Sequence, residues 1–206
     1  MMAAPRRLVV GITGATGIVL GIRALEMARA AGVETHLVVS RAGEMTREYE
    51  TDLSRDDLRS LADHIHPVND VGASIASGSF RTMGMLIAPC SVRSLAEVAT
   101  GVTTTLLTRA ADVTLKERRP LVLMVREAPL HAGHIRNMLS VTEMGGIVHP
   151  PVPAFYTHPK SVGDIVDHCV ARALDCLGIE VSEMKRWGEP DAEIGGTGEL
   201  VARAAA

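Results

Sequence analysis

The sequence predicts an α/β fold: a doubly wound, Rossmann-like open parallel sheet flanked by helices, in three layers. Three observations carry this. Short apolar runs (RLVVGIT at 7–13, ETHLVVS at 34–40, MGMLIAP at 83–89, LVLMV at Leu121–Val125) alternate with helical stretches, as expected of strands covered on both faces. A dense glycine turn follows the first run. Strand, turn, helix and strand then fit into roughly thirty residues, the size of one right-handed βαβ unit.

Taken in order, residues 7–13 read as a buried strand, 18–31 as a helix and 34–40 as the second strand. Residues 41–49 and 55–65 read as helices, and 70–81 as a Gly/Ser-rich loop. The third strand spans 83–89, followed by a short helix over Val92–Thr100 and a longer one over 104–118, stopped before Pro120. Leu121–Val125 is the fourth strand, 131–143 a helix and 146–149 a short strand. The proline-rich stretch 150–159 is too rigid for a helix. Ser161 suits the N-cap of a last helix that runs to residue 177. A single domain over 1–190 and a loose tail over 191–206 complete the expectation. Ligands of such sheets bind beyond the carboxyl ends of the strands, which directs attention to loops 14–17, 40–50, 89–94 and 126–129.

Composition narrows the function. The 206 residues carry a formal net charge of −3, so nothing marks a binder of nucleic-acid backbone. No apolar run approaches the ~20 residues of a membrane span. Cys90, Cys169 and Cys176 have no metal-binding spacing and read as reduced thiols of a cytoplasmic protein. Ten methionines and a mean hydropathy of +0.18 leave apolar surface to cover, which points to a homo-oligomer.

The first turn contains Gly11, Gly14, Gly17 and Gly21, and its amides at a helix N-terminus suit a nucleotide phosphate. The spacing of three, three and four is not the G-x-G-x-x-G of dinucleotide folds. The second strand ends in Val39-Ser-Arg41, without the acidic residue that holds a ribose, although Arg41 could meet a 2′-phosphate and leaves NADP open. Tyr156-Thr-His-Pro-Lys160 imitates the Tyr-x-x-x-Lys pair of short-chain dehydrogenases, but Pro153 and Pro159 bracket it and oppose the helix that pair needs. Of eight histidines, His131 and His134 form the tightest pair; without a third ligand they make no metal site.

Several segments, in order over roughly residues 6–189, resemble the UbiX-type flavin prenyltransferases. They are Gly14-Ala-Thr-Gly17, Glu50-Thr-Asp52, Ser77-Gly-Ser79, Pro89-Cys-Ser91, Arg109-Ala-Ala-Asp112, Leu115-Lys-Glu-Arg-Arg-Pro-Leu121, Arg126-Glu-Ala-Pro129, Pro153-Ala-Phe-Tyr156 and Arg186-Trp187. The resemblance implies a metal-independent enzyme that joins dimethylallyl monophosphate to reduced FMN and releases prenylated FMN to a UbiD-type decarboxylase. It implies a large homo-oligomer, expected to be a dodecamer. It assigns FMN contacts to Gly14, Ala15, Thr16, Ser40, Ser91, Val92, Arg93, Ser94 and Arg126. It assigns the prenyl phosphate to Ser77, Arg109, Lys116, Glu127, Tyr156 and Arg172, with Glu50 and Trp187 completing the site. Two departures stand out: Thr16 where the family usually has serine, and Leu20 where tyrosine is common.

The chemistry suits these residues. Ionising an allylic phosphate requires cations around the leaving group. Arg109 and Lys116, seven apart on one predicted helix, share a face. The same spacing also suits a solvated basic face paired with Asp112 and Glu117. Glu127 is either half of an ion pair with Arg126 or the base that removes the ring proton; Glu127, Glu50, Ser77 and Lys116 are the expected catalytic set. A flavin-dependent cysteine decarboxylase and a non-enzymatic flavin carrier remain as alternatives, the first needing no second phosphate.

Overall fold

A computed structural model of the chain describes residues 6–181, 184 and 186–188; the expected tail at 191–206 lies outside the described residues. The apolar runs become the strands of one parallel sheet: β1 (Arg7–Ile12), β2 (Glu34–Val39), β3 (His64–Ile65), β4 (Gly84–Cys90), β5 (Leu121–Val125) and β6 (Ile147–Val148). Their order is β3-β2-β1-β4-β5-β6. The helices are α1 (Val19–Ala30), α2 (Arg41–Glu50), α3 (Arg55–Ser60), α4 (Val92–Thr100), α5 (Leu106–Lys116), α6 (Ala132–Glu143) and α7 (Val162–Asp175).

Strand alternation divides the interior into two cores. Leu8, Val10, Ile12, Leu86, Val122 and Met124 point to the face covered by α1 and α7, with Leu25, Val170 and Leu174. Val9, Met85, Ile87, Leu121 and Leu123 point to the opposite face, with Leu95 of α4, Leu107 of α5 and Val141 of α6. All residues of β4 and β5 are buried, which is why both read as unbroken apolar runs. From β1 the chain winds outward to β3, returns to β4 and winds outward again to β6. The strand order therefore reverses between β1 and β4.

Two expectations need correction. Residues 55–65 do not form one helix: α3 stops at Ser60, and His64–Ile65 becomes the edge strand paired with His36 and Leu37. Tertiary contacts override local preference here. The Asp63 carboxylate accepts hydrogen bonds from Thr35 N (2.8 Å) and Thr35 Oγ1 (2.9 Å), and His66 N donates to Leu37 O (2.9 Å). The 70–81 loop contains a short 3₁₀ turn at Ser74–Ala76. Other boundaries move by a residue or two, the ordinary scatter of helix and strand ends. Ser161 does cap α7, accepting from Asp164 N in a capping box. Among the described residues, no helix is long and apolar enough to cross a membrane.

Gly21 shows how closely α1 is seated. A Cβ there would lie 2.4 Å from Ala88 O and 2.8 Å from the Ile12 side chain. Gly21→Ala gains about 1 kcal/mol of helix propensity but must push α1 off the sheet, and overpacking costs ~1–3 kcal/mol. Contact with a backbone oxygen cannot be relieved by a rotamer change, so net destabilisation is expected. A denaturant midpoint at or above that of the parent chain would contradict it.

Candidate active site

The reversal of strand order leaves a crevice beyond the carboxyl ends of β1 and β4. Thr13, 1% exposed, closes its floor. Its hydroxyl donates to Pro89 O (2.8 Å) and accepts from Ser91 N (2.8 Å), joining the loop after β1 to the loop after β4. Ser40 N donates to Ile12 O (2.9 Å), and Arg126 N to Cys90 O (3.1 Å), so the loops after β2 and β5 meet the same floor. Gly14 has no room for a side chain, since a Cβ would stand 2.3 Å from Ala42 Cβ. Ser40 caps α2 by accepting from Gly43 N (3.0 Å), and Ser91 caps α4 by accepting from Ser94 N (3.2 Å). The residues assigned by resemblance to FMN, namely Gly14, Ala15, Thr16, Ser40, Ser91, Val92, Arg93, Ser94 and Arg126, thus share one rim. Thr13, which binds that rim together, carries no motif of its own and escaped the sequence reading.

The glycine turn departs from expectation. Its amides at the start of α1 already hold a carboxylate: Glu50 Oε2 accepts from Gly17 N (2.8 Å) and Ile18 N (3.0 Å). Burial pushes the Glu50 carboxyl up. The Thr16 hydroxyl, the Ile18 and Gly17 amides and the Arg126 charge outweigh this and hold it below its ordinary value. Buried Arg47 fixes the chain around Glu50, donating to Glu44 (3.1 Å), Glu48 (2.9 Å) and Leu53 O (2.5 Å). The α1 terminus is thus occupied from within, by the Glu50 carboxylate.

The residues expected around the second phosphate fall into separate places. Lys116 ends α5, beside the amino end of β5; a Cβ on Gly78 would lie 2.8 Å from its Nζ. Ser77 is next to it, its Oγ 2.9 Å from Ser79 Oγ, and Arg119 secures the loop through Gly78 O (2.7 Å) and Phe80 O (2.8 Å). Glu127 lies past the other end of β5, exposed, with Ala128 N donating to its Oε1 (3.1 Å). Five strand residues separate the two ends, roughly 16 Å at the usual rise. Within one chain Lys116 and Ser77 do not meet Glu127 or the glycine turn. Arg109 pairs with Asp112 (2.7 Å) and Lys116 with Glu117 (2.5 Å), the arrangement the spacing had left open.

Tyr156, Arg172 and Trp187 form a third group. Tyr156 packs edge-on against His168 and Trp187, with ring centroids at 5.8 and 5.2 Å. Asp175 receives Arg172 Nη1 (2.5 Å) and both Arg186 terminal nitrogens (3.0 and 2.6 Å), which ties the Trp187 segment to α7. Asp175, which sequence reasoning missed, could have been found from its three-residue spacing to Arg172. The Tyr156–Lys160 imitation fails: Phe155–Thr157 is a 3₁₀ turn, and His158 has φ 52°. His131 and His134 stack at 3.6 Å as the capping box of α6. A cavity of about 720 Å³ opens between α1 and α7, lined by Arg23, Met27, His158, Asp164 and Asp167, away from the crevice.

Comparison with known proteins points to one family. The family described as Flavoprotein matches residues 2–174. A flavin prenyltransferase UbiX of Neisseria meningitidis serogroup B is 58% identical over 182 residues, 88% of this chain and 96% of that protein. The crystal structure of AnUbiX in complex with FMN and dimethylallyl pyrophosphate superposes with a TM-score of 0.88 at 48% identity, covering 90% of this chain and 99% of that one. A dodecameric FMN-dependent UbiX-like decarboxylase from Escherichia coli O157:H7 gives a TM-score of 0.85 at 49% identity, over 89% of this chain and 100% of that one.

The Glu50 contact has a pH signature. Its lowered carboxyl means that the stabilisation is complete above the ordinary carboxylate value of about 4.3 and is lost as pH falls through the lower folded-state value. Glu50→Gln keeps the shape without the charge. At neutral pH it should be less stable than the parent by roughly 1 kcal/mol, the usual worth of a helix cap. Melting curves taken between about pH 7 and pH 3 should show the difference closing in acid; a constant difference would refute the assignment.

Proposed function

This chain belongs to the UbiX-type flavin prenyltransferases, and from that premise we propose that it transfers the dimethylallyl group of dimethylallyl monophosphate to N5 and C6 of reduced FMN, yielding prenylated FMN for a UbiD-type decarboxylase. The observation that carries this is the 58% identity to a flavin prenyltransferase along 96% of that protein. The donor set of the crevice fits FMN. Two serine-capped helix termini and Arg126 suit the phosphate, and Gly14 and Ala15 keep the β1 turn free of bulky side chains. The acting unit is residues 1–190. Its thiols Cys90, Cys169 and Cys176 are all free, which supports a cytoplasmic setting.

Reduced flavin supplies the nucleophilic N5 and C6. The chain binds and orients it, holds the leaving phosphate and takes up a proton. Arg109, Lys116, Tyr156 and Arg172 offer the phosphate three cations and a hydroxyl, so charge is stabilised where it develops. Exposed Glu127, at the crevice rim beside Arg126, is the acceptor for the ring proton. Because Lys116 and Ser77 stand at the opposite end of the sheet from Glu127, a site that uses all of them draws them from different copies of the chain. Ile135 (56% exposed), Leu139 (57%), Val152 (70%), Phe155 (72%) and Val162 (76%) provide the apolar surface for such an assembly, for which a dodecamer is the proposed form.

Anaerobic incubation with reduced FMN and dimethylallyl monophosphate should add one five-carbon unit to the flavin by mass spectrometry. Unaltered FMN with flavin demonstrably bound would favour a cysteine decarboxylase or a carrier instead. Lys116→Ala should lower donor efficiency about ten- to a hundredfold, the worth of one charge-assisted bond, with FMN affinity kept. Glu127→Gln should lower turnover roughly 10²–10⁴-fold, the usual share of a general base. Sharing between copies is tested by co-assembling these two variants in equal amounts. Random mixing leaves roughly a quarter of shared sites with both groups intact, so activity should rise well above either variant alone; no recovery would place both groups in one chain.

A further inference from the structure

Away from the crevice, four side chains with metal-binding atoms converge on one face of the sheet. Glu34 and His36 alternate on β2, and His64 and His66 alternate on and just after β3. The register sets His36 directly opposite His64, so the period of two brings all four to the same side. Glu34 Oε1 lies 3.0 Å from His36 Nε2 and 3.2 Å from His64 Nε2. The two imidazoles stack at 4.6 Å with their planes 20° apart. Among the described residues, Glu34, His36 and His64 are the group whose ligand atoms all fall within 4.8 Å of one another.

We propose that Glu34, His36 and His64 form a binding site for a divalent zinc-like cation, with His66 as the outer partner that orients His36. Three geometric facts lead there. Tetrahedral zinc at its usual bond lengths sets its ligands about 3.3 Å apart, and the two carboxylate–imidazole distances are already close to that. His36 is 3% exposed and held on both sides, with Nε2 toward Glu34 and Nδ1 3.0 Å from His66 Nε2. If Nε2 gives its lone pair to a metal, the proton sits on Nδ1 and is donated to His66, the outer hydrogen bond that metal-bound imidazoles regularly make. His64, by contrast, has a side chain 53% exposed on a two-residue edge strand. It can turn to close the third distance and leaves the fourth position open to water.

Arg7 is the competing cation: its Nε donates to the same Glu34 oxygen at 3.0 Å and its guanidinium lies 4.7 Å from the Phe80 ring. A carboxylate has two oxygens, so Arg7 can keep one while the other binds the metal. Imidazole and carboxylate donors suit zinc and its neighbours among the transition metals rather than calcium or magnesium. The site lies in the amino half of β2, where His36 is four residues, roughly 13 Å, and Glu34 six residues, roughly 20 Å, from Ser40. Its effect is structural: it would fasten the short edge strand β3 to β2.

The test uses the tag-free full-length chain, stripped with a chelator and titrated with Zn²⁺ by calorimetry. One ion per chain should bind and raise the melting midpoint. Glu34→Gln and His64→Gln should each weaken binding at least tenfold, and His66→Ala by about 10–100-fold, while His131→Ala should bind as the parent does. His64 faces solvent, so His64→Gln retains the fold; an unchanged circular dichroism spectrum verifies this. Cobalt substitution of the parent chain should give the absorption of a tetrahedral site with imidazole ligands, which needs no variant at all. No saturable zinc binding, binding unaffected by His64→Gln, or loss on His131→Ala would each overturn the proposal.

Discussion

The Thr13 hydroxyl joins two loops at the point where the chain reverses direction across the sheet. It donates to Pro89 O and accepts from Ser91 N, both at 2.8 Å, and is itself buried. Without it, the half-buried Ser91 amide would lose its acceptor, at about 1–3 kcal/mol, while Pro89 O would keep only the Thr13 amide (3.2 Å). The loops after β2 and β5 hang from the neighbouring backbone, Ser40 N on Ile12 O and Arg126 N on Cys90 O. Four loops that are distant in sequence are thereby registered to one another before any ligand arrives, which is the preorganisation a flavin site needs.

Anion chemistry at this rim depends on which helix termini are free to act. The helices that directly follow a strand, α1, α2, α4 and α6, begin at the carboxyl edge. The chain spends one of them internally. With Glu50 on the Gly17 and Ile18 amides, the glycine turn becomes a rigid neutralised wall rather than a phosphate cradle. Thr16 belongs to this arrangement, since its hydroxyl helps hold the Glu50 carboxyl below its ordinary value. Threonine here keeps the hydroxyl that a serine would offer. The added methyl group alters the shape of the wall and leaves its charge unchanged.

The layer order, the crevice and its rim were readable because they follow from local patterns. Apolar runs with glycine turns specify buried parallel strands, and serines before helices specify caps. Ser161 does what its position indicates. What could not be read depends on contacts between segments far apart in sequence. Residues 64–65 looked helical because nothing local shows that the open edge of β2 needs a partner. The Glu34–His36–His64 cluster stayed hidden for the same reason, since it exists only once β3 is recognised as a strand. Glu50 was assigned to the site by resemblance, but its bond to the glycine turn needed the fold. The helical spacing of Arg109 and Lys116 was read correctly as one face; that the face ends at the far edge of the sheet is a matter of topology.

Helix polarity sets where Lys116 can act. A helix that precedes a parallel strand ends beside the amino edge, and its C-terminal carbonyls attract a cation there. Lys116 stands in the last turn of α5 and satisfies this rule. The same polarity places the anion-binding helix termini at the opposite edge. A lysine favoured by its own helix terminus is therefore kept, within its own chain, from an anion bound at the carboxyl edge. It can serve such an anion only when the amino edge of one copy faces the carboxyl edge of another. Assembly and phosphate chemistry are then linked by the orientation of peptide dipoles. The exposed apolar side chains of α6 and of the proline-rich segment are the surface such a proposed contact would draw on.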